Sequence, residues 1–92
     1  VGFEIRLTRH ALERMALRGV SMGELELALA GRPSYRDASG AEVHIRKLDD
    51  HTLVVIAERV GDALKVITVY KARRVDKLIR SRVRKGLWER LE

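Results

Sequence analysis

Ninety-two residues, 46% hydrophobic and 35% charged with a formal net charge of +6, describe one globular domain with a single modest core and exclude a disordered chain. The absence of cysteine excludes a disulfide scaffold and a thiolate zinc site, and it points to a reducing, cytoplasmic compartment. No apolar run reaches the roughly 18–20 residues of a membrane span, and the first residues carry no signal-peptide pattern. Asn and Gln are absent while Arg supplies 14 of the 19 cationic side chains, a composition that suits a thermophilic source.

Thr8 reads as the N-cap of a helix over 9–18, and Gly19 as the left-handed residue that ends it. Ser21 with Glu24 forms a capping box that opens a second helix running to Gly31, after which Pro33 prevents continuation. The connection between the two is very short, so residues 1–31 are expected to form a helical hairpin. From Tyr35 the spacing changes to alternation. "YRD" (35–37) reads as a short edge strand, "AEVHIRKL" (41–48) as a half-buried strand, and "TLVVIAERV" (52–60) as a central strand buried on both faces. The "GD" at 61–62 is a two-residue hairpin turn leading into "ALKVITVY" (63–70). Residues 33–71 are therefore expected to be a three- or four-stranded antiparallel sheet. Residues 73–91 regain helical spacing, with Val75, Leu78, Ile79, Val83, Leu87 and Leu91 as one stripe and Lys77, Arg80 and Arg84 along another side. Together these elements predict an α+β fold: a helical hairpin, an antiparallel sheet, and a basic amphipathic C-terminal helix.

The charge is unevenly placed. Residues 1–70 hold ten Lys/Arg and ten Asp/Glu, whereas residues 71–92 hold nine Lys/Arg and three acids, which accounts for the whole +6. Such a basic end fits a polyanion or an acidic partner protein, and it equally fits a solvated helix face kept for solubility. Lys71, Arg73, Arg74, Lys77, Arg80 and Arg84 are the candidate phosphate contacts there, with Arg18 joining them from the first helix.

Three histidines offer chemistry. On a helical wheel of about 100° per residue, His10 lies opposite the apolar stripe of the first helix, and His10, Arg14 and Arg18 form an unneutralised row. That row is either the solvated back of an amphipathic helix or a place for a phosphate, which Arg binds through two oxygens at once. His44 shares a strand face with Arg46, where it is either a partly exposed general base or the polar side of a half-buried strand. His51 follows the turn at 49–50 and reads as a surface loop residue. Tyr70 ends a strand, either to stack on a base or move a proton, or as an aromatic at the core edge with a wet hydroxyl. No HxxxH or HxH spacing begins a metal site, no cofactor fingerprint is present, and no P-loop or GxSxG elbow appears, so no metal or cofactor is expected.

"TRHALERMALRGVS", a second short helix, and strands ending in "ALKVITVYKAR" resemble a small family of uncharacterised prokaryotic domains. Their pattern is a helix with His-x-x-x-Arg and Arg-Gly-hydrophobic-Ser, followed by a meander that finishes near Thr-x-Tyr. The resemblance covers roughly residues 5–73 and marks His10, Arg14, Arg18, Thr68 and Tyr70. That family is in turn similar to the BrnT-type and RelE-type toxins of toxin–antitoxin pairs, metal-independent ribonucleases with helices packed on an antiparallel sheet. The resemblance implies an endoribonuclease that cleaves RNA by attack of a ribose 2′-OH on the adjacent phosphate. In that reaction His10 or His44 accepts the proton, Tyr70 assists, and Arg14, Arg46 and Arg73 stabilise charge on the phosphate. The alternatives are an RNA- or DNA-binding module without catalysis, and a protein-interaction domain that docks an acidic antitoxin or a second copy of the chain as a homodimer.

Overall fold

The computed structural model describes residues 2–91. Its elements run β1 (Glu4–Leu7), α1 (Arg9–Arg18), α2 (Met22–Ala30), β2 (Tyr35–Asp37), β3 (Glu42–Lys47), β4 (Thr52–Val60), β5 (Ala63–Ala72), α3 (Val75–Arg84) and β6 (Trp88–Arg90). The strands form one sheet in the order β1-β5-β4-β3-β2-β6. The fold is thus α+β, as the sequence predicts, but the sheet is larger than expected and is mixed.

Both extra strands come from the ends of the described chain. β1 pairs parallel to the first half of β5, Glu4 opposite Ala63 through Leu7 opposite Val66. At four residues it is too short to declare a period. β6 pairs antiparallel to β2, where a helix continuing to residue 91 was expected. The helix stops at Arg84 because Gly86 adopts φ 72, a left-handed conformation that closes its last turn. Trp88 then leaves the helical path and is buried against Tyr35, ring centroids 5.6 Å apart and 30° from parallel. Such a pair contributes about 0.5–1.5 kcal/mol beyond its buried area.

α1 begins where expected. Thr8 is its N-cap, with the side-chain oxygen accepting from the Ala11 amide, and Gly19 at φ 67 ends it. The Ser21–Glu24 capping box that opens α2 is present in both directions. The pair does not pack as an isolated hairpin: α1 lies on β5 and β1, while α2 lies on β3 and β4. Both cover one face of the sheet and bury Ala11, Met15, Leu25 and Leu29 against Leu53, Val55, Leu64 and Val66. α3 covers the opposite face, placing Val75, Leu78 and Ile79 against a second cluster around Tyr35, Val43, Val54 and Trp88. β4 lies between the two layers and is buried from Thr52 to Val55, in keeping with its unbroken β-branched run.

A bulge interrupts the β4–β5 ladder. Ala57 faces Val66 and Ile56 faces Thr68, so Ile67 has no cross-strand partner. The extra residue exchanges the two faces of β5 beyond it. Val66 and Val69 both join the α1/α2 core, while Tyr70 and Ala72 turn to the α3 side.

Candidate functional site

β1 ends where the bulge begins, and Thr8 fills the junction. Its backbone N–H donates to the Val66 carbonyl at 3.2 Å, and its hydroxyl lies 3.1 and 3.2 Å from the Val66 and Ile67 carbonyls. The residue that caps α1 therefore also pins that helix to β5. This fixes the row at i, i+4 and i+8 that begins two residues later. His10, Arg14 and Arg18 form one wall of a solvent-open groove of about 330 Å³, with Thr68, Val69, Tyr70 and Lys71 of β5 as its floor and Arg82 of α3 opposite.

The groove is cationic. Among the described residues no carboxylate lines it, and Arg14, Arg18 and Arg82 form no ion pair. Lys71 lies within electrostatic reach of Glu24 and Asp50. Burial pushes the Tyr70 phenol above its ordinary value of 10.0, against the opposing pull of Arg82, so the hydroxyl is a proton donor at neutral pH.

His44 does not join the groove. Instead of being partly exposed it is 1% exposed, on the sheet face that α2 covers. Its Nε2 donates to Glu42 Oε1 at 2.9 Å, while Arg59 Nε donates to Glu42 Oε2 at 2.9 Å. Burial pushes the Glu42 carboxyl up, but hydrogen bonds from Arg59 and His44 and the charge of Arg59 outweigh it and hold the group below its ordinary value of 4.5. Nδ1 of His44 is buried without a hydrogen-bond partner. This histidine is sequestered with no path to a ligand, and a role as proton acceptor for RNA is corrected accordingly. Arg46 is exposed on β3, two strands from Lys71 on the same rung of the sheet, and does not line the groove. His51 is not a free surface residue either: its side chain is 13% exposed, and Nδ1 donates to Asp50 Oδ1 at 2.6 Å.

The remaining basic residues gather around α3. Arg73, Arg74, Lys77 and Arg80 line a concavity with Lys47 and Thr52, and Lys77, Arg80 and Arg84 line a second with Ser81 and Lys85. Arg82 escaped the sequence reading, although its position carried a signal. It stands three residues after Ile79 and four after Leu78, so it interrupts the apolar stripe and is turned toward the sheet. Val83, placed on that stripe by its hydrophobicity, is instead 42% exposed. No group of three His, Cys, Asp or Glu among the described residues is placed to hold a metal, and no helix is long and apolar enough to cross a membrane.

Residues 7–71 match a sequence family described as a domain of unknown function, DUF4258. The chain belongs to the DUF4258 family. The match begins one residue before the cap of α1 and ends with the floor of the groove. The DUF4258 segment thus supplies one wall and the floor, and Arg82 comes from the chain beyond it. No curated protein and no solved structure matches the chain.

Proposed function

We propose that the groove binds a phosphodiester of RNA and cleaves it through the neighbouring 2′-hydroxyl. One observation carries this reading: a histidine, a protonated phenol and several cations converge on a single open groove without a carboxylate to neutralise them. The resemblance to BrnT-type and RelE-type toxins supports it, since those proteins perform this cleavage.

His10 accepts the proton of the 2′-OH as that oxygen attacks the adjacent phosphorus. The bond from phosphorus to the 5′ oxygen breaks, and the leaving oxygen takes a proton from the Tyr70 phenol. The products are a 2′,3′-cyclic phosphate and a 5′-OH end. Arg14 and Arg18 hold the non-bridging oxygens as negative charge builds on them, a contribution of roughly 3–4 kcal/mol for a well-placed donor. Arg82, beside Tyr70, favours the phenolate that forms.

A second reading, RNA binding without cleavage, rests on the two basic concavities along α3, which provide phosphate contacts and no histidine or tyrosine. End-labelled single-stranded RNA incubated with the protein and a chelator decides between them. Cyclic-phosphate and 5′-OH ends are expected from RNA, with an all-deoxy strand bound and left intact. RNA retained but uncut would overturn cleavage and leave the binding module.

A further inference from the structure

β1 covers the outer side of β5 only over residues 63–66, while β5 continues to Ala72. Thr8 covers Ile67, so the backbone of residues 68–72 has no strand beside it, and residues 68–71 of it line the groove. Unpaired edges recruit further strands, and proteins normally blunt them. The two outermost strands of this sheet are themselves blunted. β1 is four residues long and carries the Glu4–Arg6 ion pair, and β6 is three residues long with Glu89 and Arg90 exposed. Beyond Thr8 the edge of β5 is five residues, 68–72, about 17 Å of extended chain, and its groove-lining part runs between Arg14 and Arg18 on one side and Arg82 on the other.

We propose that this edge takes an extended acidic segment of a partner protein as an added strand. Main-chain pairing supplies the attachment and the flanking cations select the charge. A second copy of this chain is a poor occupant, because edge-to-edge pairing would bring both sets of arginines together. The spacing also fits. His10, Arg14 and Arg18 rise by about 6 Å per four residues of helix. Alternate residues of a strand advance by about 6.7 Å, so successive acidic side chains on one side of the strand meet successive members of that row. The proposal goes beyond the RNA reading, and only its corollary, that the bound strand excludes RNA, rests on it.

A capped octapeptide of alternating Glu and Thr is the probe, with fluorescence anisotropy as the measurement. Binding is expected to weaken with salt and to vanish in Arg14→Glu/Arg18→Glu. Two further peptides carry N-methyl groups on alternate amides, one in each phase, with charge unchanged. One phase turns its amides toward β5 and should lose about tenfold in affinity, while the other should bind like the parent. Absence of parent binding, or equal affinity of the two methylated peptides, overturns the proposal. A single-stranded RNA arm separates the two readings. RNA bound without phase-dependent peptide binding retains the RNA reading alone, and phase-dependent peptide binding without RNA binding retains the added strand alone.

Discussion

The groove at the β5 edge and the cluster on β3 and β4 are built from the same side-chain types and differ by one carboxylate. In the cluster, Glu42 accepts from both His44 and Arg59 and leaves neither free for a ligand. In the groove, His10, Arg14, Arg18 and Arg82 face solvent with no acid among them. Pairing of the first kind chiefly spares the buried Glu42 and His44 the penalty of unpaired buried groups, with the half-exposed Arg59 closing the set from solvent. Cations of the second kind keep their charge for an anion that arrives later. A histidine's availability is decided by the acid nearest to it in space, and strand or helix pattern alone does not reveal that neighbour.

Exchanging the treatment of the two histidines gives the largest expected effect. His10→Ala should lower RNA cleavage by about 10²–10⁴-fold with little change in stability. His44→Ala should lower stability and leave the cleavage rate of the folded protein near wild type. Parallel rate losses in both variants would erase the distinction between groove and cluster.

A smaller effect tests the cluster alone. Glu42→Ala removes the acceptor shared by His44 and Arg59 and should cost about 1–3 kcal/mol in chemical denaturation. The sign with pH follows from the depressed carboxyl of Glu42. Its stabilisation is complete above the ordinary value of 4.5 and is lost as the pH falls through the lower folded value. Stability of the wild type should therefore decline more steeply than that of Glu42→Gln below that point. Superimposable acid limbs would mean that the cluster contributes nothing to acid stability.

The smallest effect concerns the reach of the groove along α3. Neutralising Lys77, Arg80 and Arg84 together should flatten the dependence of log K on log salt for single-stranded RNA by about 2, leaving the cleavage products unchanged. An unchanged slope would confine RNA to the groove itself.

The helix starts, the capping box, the central strand and the turn at 61–62 were legible in the sequence because each is written in local chemistry: a cap, a period, a glycine turn. β1 and β6 were not legible, since strands of four and three residues are specified by the partner they reach. The same division holds at the site. His10, Arg14, Arg18, Tyr70 and Lys71 could be named from wheel, strand and resemblance, and the structure brings them together. His44 and Arg46 could not be sorted, because residues 42, 44 and 59 meet only once β3 and β4 pair. The bulge at Ile67 adds a further reason: it changes which face Tyr70 occupies, and simple alternation along β5 does not register it.

The short strand β6 acts on the groove from a distance. Trp88 is seated on Tyr35 and β6 is hydrogen-bonded to β2, so α3 is tethered by β5 before it and by the sheet after it. A helix held at both ends has little freedom to swing outward, and Arg82 is set opposite Arg14 before any ligand arrives. Fixing a mobile backbone costs about 1–2 kcal/mol of entropy per residue. Here that ordering is completed during folding, so a phosphate or a strand meets a preorganised cleft whose second wall is anchored on the far side of the sheet.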